Sequence, residues 1–235
     1  MHIVVSGKED YSRAIRKFMS DNGLHKIVAF SGGADAEIAG LSQDDPLQKQ
    51  YQELASRMEE RIIGEAMMKL QNFQIAILTG GTKWGVPKTA TLKAKELGLK
   101  TIGIYPLVGR KHALPLEFLD ISICVEPLVG ESRWGDESPM FTSLLDGVIV
   151  YGGGAGTLIE SAHILKTNEA IIKSGETVKY IIPIAGTGGV ADGLPFVWGK
   201  AEVRSRCMPF GKVSTGYAAA DLMREKLNLD DYPKL

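Results

Sequence analysis

Six short runs rich in valine and isoleucine restrict the fold of this chain more than any other feature. They are KIVAF (26–30), QIAILT (74–79), KTIGIYP (100–106), DISICVEP (120–127), DGVIVY (146–151) and VKYIIPI (178–184). Most of them do not alternate apolar with polar residues. Uninterrupted apolar runs of this length suit strands buried on both faces, as in a parallel sheet. The stretches between them carry helical spacing. The longest is 46–70, where Leu47, Tyr51, Leu54, Met58, Ile62 and Ala66 fall near one face. Residues 86–98 have a proline near the start and a glycine stop, and 157–173 and 214–227 also read as helices.

Strand–helix alternation of this kind builds right-handed βαβ units. The expected fold class is α/β, a Rossmann-like doubly wound and mainly parallel sheet with helices on both faces. The first 25 residues stand apart, with a candidate strand in MHIVVS and a candidate helix in EDYSRAIRKFMSDNG. No Pro/Ser-rich linker follows them. Residues 1–235 are therefore expected to form a single domain, with 1–25 as an N-terminal decoration.

Four of the runs end in glycine: VAFSGGA (28–34), AILTGGTKWG (76–85), VIVYGGGAGT (148–157) and IPIAGTGG (182–189). In a parallel sheet all four turns lie at the carboxyl edge, where open α/β sheets bind ligands. Glycines let main-chain N–H groups approach an anion closely, and a helix N-terminus adds free donors and partial positive charge. GGGAGT, ahead of the 157–173 helix, reads as a phosphate cradle, with Thr157 adding a hydroxyl or acting as N-cap. The spacing is not that of the G-x-G-x-x-G fingerprint, and no P-loop pattern is present. The expected ligand is a small-molecule nucleotide. Its candidate contacts are Ser31, Gly32, Gly33, Gly80, Gly81, Thr82, Gly85, Gly153, Gly154, Gly156 and Thr157.

Lys+Arg number 27 and Asp+Glu 28, a formal net charge of −1. Such a balance offers no long-range attraction to nucleic acid or anionic lipid, so neither is expected as a partner. No apolar run approaches the roughly 20 residues that span a bilayer. The start lacks a basic segment followed by a long apolar one, and a cytoplasmic location is expected. Cys124 lies in an apolar run and is expected to be buried; Cys207 follows RSR and is expected at the surface. Neither belongs to a ligand-spaced cluster, so no disulfide, metal or cofactor is expected.

TGGTKWGVPKTATLKAKELGLKTIGIYP followed by DGVIVYGGGAGTLIE resembles the SLOG superfamily over roughly residues 26–195. That group is named partly for the Lonely Guy (LOG) enzymes, which are cytokinin-activating phosphoribohydrolases. It also includes nucleotide-sensing domains of antiphage systems and of melastatin-type TRP channels. The LOG hallmark P-G-G-x-G-T-x-x-E appears here as residues 152–160, with Gly152 in place of the proline. The resemblance implies that Gly153, Gly154, Gly156 and Thr157 hold a nucleotide phosphate. It also implies that Glu160 faces the ribose and assists cleavage of the N-glycosidic bond. A carboxylate suits the oxocarbenium-like character of ribosyl transfer.

LOG enzymes carry an arginine about ten residues before the acid that opens the following strand. Counting back from Asp146 reaches Asp136, with Met140 at the place of the family methionine and Arg133 three residues early. An aspartate does not replace a phosphate-pairing arginine; Arg133 is the candidate to reach the site through its loop. IPIAGTGGVADGL (182–194) resembles the nucleotide-sensing branch, which makes Thr187, Gly188, Gly189 and Asp192 candidates for a ribose or a second phosphate.

Two functions stay open on these residues. One is a sensor or binding module for an adenosine or ADP-ribose-type nucleotide. The other is a phosphoribohydrolase acting on nucleoside 5′-monophosphates, with Glu160 and Arg133 as catalytic candidates. Trp84 and Trp134 are either base-stacking or packing residues, and His112 lies in a basic loop with Arg110 and Lys111 that meets either a phosphate or solvent. The apolar stripe of 46–70 suggests a homodimer or higher homo-oligomer.

Overall fold

A computed structural model describes residues 1–5, 11–33, 42, 44–196 and 199–234. The strands are β1 (His2–Val5), β2 (Lys26–Gly32), β3 (Ile75–Thr79), β4 (Lys100–Pro106), β5 (Ile121–Val125), β6 (Gly147–Tyr151) and β7 (Tyr180–Ile184). They form one seven-stranded sheet in the order β1-β5-β4-β3-β2-β6-β7. Every neighbouring pair is parallel. The helices are α1 (Tyr11–Asp21), α2 (Pro46–Leu70), α3 (Gly85–Glu96), α4 (Ser138–Leu144), α5 (Ala155–Ser174), α6 (Gly189–Gly193), α7 (Ala201–Cys207) and α8 (Gly216–Leu227).

Because the sheet is apolar on both faces, it needs helices on both. On one face Ala29, Leu78, Val148 and Val150 pack with Ile15 of α1, Phe141 of α4, Ile164 of α5 and Val203 of α7. On the other, Val28, Phe30, Ile77 and Ile149 pack with Ile63 and Met67 of α2, Ala90 of α3 and Met223 of α8. Cys207, expected at the surface, belongs to the first of these cores and is 1% exposed. Its position near the end of α7 turns it inward even though its sequence neighbours are charged. The N-terminal segment contributes a true edge strand, since β1 pairs with β5 over four residues.

From β2 the chain adds β3 and β4 outward on one side, with β5 beyond them, then returns to place β6 on the other side of β2 and β7 beyond it. The strand order therefore reverses between β2 and β6, the place where open α/β sheets leave a crevice at their carboxyl edge. The four strands with glycine turns, β3, β2, β6 and β7, are consecutive neighbours around that reversal.

The 25 residues of α2 span about 37 Å. The strands beneath it, of five to seven residues, span roughly 17 to 23 Å. The helix must overhang. Asp45 caps its start by accepting the Leu47 N–H at 2.8 Å, with Pro46 in the first turn. In the QDDP helix start read from the sequence, Gln43 lies outside the described residues. The apolar stripe expected along α2 is buried only in its second half. Ile62 and Ala66 are 2% and 0% exposed, but Leu47 and Leu54 are 57% and 62% exposed.

Where α2 meets α8, Gly216 presses against the α2 main chain, and a β-carbon there would collide with the Ile62 carbonyl oxygen. Its N–H donates to Glu65 at 3.0 Å. Gly216→Ala is expected to destabilise the protein by about 2 kcal/mol or more, because neither helix can move off without opening the core. Urea denaturation checks this as a lowered midpoint with an unchanged slope; an unchanged midpoint would show that the helix pair can shift.

Candidate functional site

The turn between β6 and α5 is the centre of the site. Gly153 has φ +100°, and a β-carbon there would meet the Thr157 side chain at 2.5–2.6 Å. A glycine at this position is a requirement of the fold. Thr157 is 4% exposed and packs under the turn, while the N-cap of α5 is Gly154, which supplies no side-chain bond. Thr157 is thus not the N-cap the sequence suggested. It lies two residues inside the helix, where its burial fills the space left by Gly153.

The β7–α6 turn holds this one in place. Val190 N–H donates to Gly153 O and Ala191 N–H to Gly152 O, each at 3.0 Å. Gly152 N–H donates to Thr187 Oγ1 at 2.8 Å, and the Thr187 hydroxyl donates to Ile184 O at 2.6 Å. Asp192 accepts from Gly186 N–H at 2.6 Å and from Gly188 N–H at 3.0 Å. Gly189 lies so close to the Gly153 carbonyl that a side chain would strike it. Thr187, Gly188, Gly189 and Asp192, expected to touch a ribose or phosphate, form a brace whose polar side chains are committed to main-chain partners.

The N-terminus of α5 is left open by contrast. Leu158 N–H donates to Gly154 O at 3.0 Å, so the amides of residues 155–157 precede the helix ladder. Gly154, Ala155 and Gly156 are exposed. A β-carbon on Gly154 or Gly156 would meet nothing within 4 Å. Unlike Gly153, these two glycines answer no packing need. Gly156 even weakens the first turn by about 1 kcal/mol relative to alanine.

An open cleft of about 1930 Å³ lies on the α2–α3 side of the edge. Its walls are the overhanging part of α2, including Tyr51, Glu59 and Arg61, and the start of α3 with Gly85 and Lys88. Its floor includes Gly33, Tyr151, Gly152–Gly154 and Gly186–Gly189. Burial, the Glu59 carboxylate and Tyr51 together push the Tyr151 phenol up to about 12. Gly32 lies between the Tyr151 main chain and Val86. Gly81 and Thr82 are buried, and Gly81 O accepts from Leu114 N–H at 2.8 Å. Gly80 packs near Pro87. These three therefore form a structural turn, while Gly33 and Gly85 reach the cleft.

On the opposite side of the edge, Ser31 does not face the cleft; its hydroxyl donates to Glu160 Oε2. Burial pushes the Glu160 carboxyl up to about 8; the Ser31 bond opposes this, and the Glu137 charge adds to it. Burial also raises Glu137, against its bond from Gly135 N–H at 2.9 Å. The charged neighbour acting on Glu160 is therefore an acid. Arg133 is exposed, its N–H donates to Asp136 at 2.8 Å, and its guanidinium makes no ion pair among the described residues. The loop does not bring the arginine onto Glu160. Glu137 was not singled out by sequence; its one signal was that it neighbours Asp136 in the displaced LOG-like segment. Tyr51 reads from sequence only as part of the apolar stripe, and Glu59 and Arg61 carry no signal, since only the overhang of α2 places them here.

The model of the SLOG cluster4 family matches residues 55–183, just over half of the chain. The chain belongs to this family. Several solved structures share the fold of this SLOG protein. TM1055, a structural-genomics target, has a TM-score of 0.59 at 18% identity, covering 86% of this chain and 99% of that one. The molybdenum cofactor binding protein from Rippkaea orientalis gives 0.55 at 18%, covering 86% and 97%. The Moco carrier protein from Chlamydomonas reinhardtii gives 0.52 at 19%, covering 86% and 98%. Comparison with curated proteins returns no match. Among the described residues, no helix is long and apolar enough to cross a membrane, and no group of three or more His, Cys, Asp or Glu is placed to hold a metal.

Glu160 keeps its proton to about pH 8 in the folded chain, against an ordinary value of 4.5. Between those values the folded state binds more protons than the unfolded state. This contribution to stability is complete below the ordinary value and is lost as pH rises through the folded one. The melting temperature of the wild type is expected to fall between pH 5 and 8.5 by a few degrees more than that of Glu160→Gln. Parallel profiles in a calorimetric pH series would place the carboxyl in water instead.

Proposed function

We propose that this SLOG protein binds a nucleotide of the adenosine or ADP-ribose type, with a phosphate at the N-terminus of α5, and acts as a nucleotide sensor or binding module. The observation that carries this reading is the bareness of Gly154 and Gly156. The fold leaves room for side chains there, and helix propensity favours alanine at 156. A bound anion explains their absence, because only a bare turn lets main-chain N–H groups reach phosphate oxygens. The cleft walls carry bases such as Arg61 and Lys88 together with acids such as Glu59 and Glu96, so selectivity for an anion rests on the main-chain amides of the turn. Proteins of this fold named for binding or carrying the molybdenum cofactor support a small molecule as the occupant.

A second reading has one observation in its favour. Glu160 lies one turn beyond the glycines and holds a proton at neutral pH. Such an acid can protonate the leaving base of a nucleoside monophosphate. Glu137 rather than an arginine beside it favours binding over hydrolysis.

AMP is expected to raise the melting temperature of the wild type. Gly156→Ala is expected to be more stable than the wild type by up to about 1 kcal/mol, and Gly156→Leu to fold yet lose the AMP shift. Retention of the full shift by Gly156→Leu would remove the phosphate from this turn. Adenine released from AMP above a Glu160→Gln control would establish the hydrolase; a thermal shift without adenine supports the binding module.

A further inference from the structure

Three rings cluster at the carboxyl edge, on the segments that follow β3, β4 and β5. Trp84 and His112 have centroids 4.4 Å apart at 44°, and His112 and Trp134 lie 6.3 Å apart at 22°. Trp84 precedes α3, His112 ends the helical turn Leu107–His112, and Trp134 stands in the loop before α4. The tryptophans are 37% and 53% exposed. Part of each indole is therefore open to solvent.

The rings are nonetheless held in place. Trp134 lies over Gly109, where a β-carbon would meet the indole at 3.0 Å. The turn carrying Trp84 is tied to the turn carrying His112 by Lys83 N–H donating to His112 O at 3.0 Å. His112 Nδ1 is out of solvent with no hydrogen-bond partner among the described residues. Burial, with Lys111 and Lys83, holds the imidazole pKa low, so the ring stays neutral.

The location suits the outer part of a ligand gripped at α5. A β-carbon on Gly135, next to Trp134, would lie 3.3 Å from Ile159 of α5, so the loop rests one turn past the bare glycines. β3 and β6 are separated by β2 alone, which puts their ends roughly 10 Å apart. That is about the reach from phosphate to base in a nucleoside monophosphate. Lys83 lies 5.8 Å over Trp84, and Arg110 and Lys111 flank His112, while the Trp134 loop carries Asp136 and Glu137.

We propose that Trp84, His112 and Trp134 form a platform that stacks the purine base of a nucleotide whose phosphate sits at the Gly154–Gly156 turn. This rests on the phosphate reading above, and it assigns the base end of that ligand. Aromatic faces stack bases without reading their edges, so the platform confers preference for a base-bearing ligand over its bare sugar phosphate.

The test titrates the full chain with AMP, adenosine and ribose 5-phosphate by calorimetry, in the wild type, Trp134→Ala and Trp134→Phe. The wild type is expected to bind AMP roughly tenfold or more tighter than ribose 5-phosphate. Trp134→Ala is expected to bring AMP down to the ribose 5-phosphate level while leaving ribose 5-phosphate unchanged, and Trp134→Phe to keep most of the preference. An AMP affinity untouched by Trp134→Ala overturns the platform, as does an equal loss for AMP and ribose 5-phosphate. Adenosine binding as tightly as AMP, and depending on Trp134, supports the platform and sinks the phosphate reading. A wild type that binds neither AMP nor adenosine overturns the platform.

Discussion

The contact on which the site depends is the brace between two adjacent glycine turns. Val190 and Ala191 donate to the carbonyls of Gly153 and Gly152, and Thr187 accepts from Gly152. These bonds consume the inward polar groups of the β6–α5 turn and fix its outward ones. The amides ahead of Leu158 then face the edge of the sheet, unpaired by their own helix. The close approach of Gly189 to the Gly153 carbonyl is what the positive-φ glycines make possible. Side chains at either place would separate the turns and release the geometry they share.

The edge is divided by α5 into two environments. Toward α2 and α3 the cleft is wide and carries both cations and acids of the two helices. Toward α4, Glu160 is desolvated, bonded to Ser31 and faced by Glu137. Two half-buried acids near each other favour keeping a proton on Glu160. An arginine there would hold Glu160 ionised instead. The acid in that position therefore changes the chemistry of the site.

Much of the secondary structure was legible. The apolar runs at 100–106 and the helical spacing at 46–70 coincide with β4 and α2 residue for residue, because burial on two faces and on one face leave different periodicities. The glycine turns were legible as turns, and their sharing of one edge follows once all the strands are parallel. Their separate roles were not legible. Gly153 and Gly156 look alike in GGGAGT, yet one is demanded by a left-handed φ and the Thr157 side chain and the other by nothing in the fold. Asp192 read as a ligand contact; it lines the cleft, and its two oxygens also cap the turn that holds it, a role that local sequence does not show. Cys207 read as surface because its neighbours are charged, while helix periodicity turned it inward.

By itself the sequence determined the α/β alternation, the places where strands end in bare main chain, and the acid one turn past the fullest of those turns. These are local properties, written in propensity, periodicity and the absence of side chains. Only the tertiary structure decided the strand order, the overhang of α2 that walls the cleft, the pairing of Ser31 and Glu137 with Glu160, and the meeting of Trp84, His112 and Trp134. Each of these joins residues far apart in the chain. Their meeting depends on how the sheet reverses between β2 and β6, and no pattern of local spacing encodes that distance.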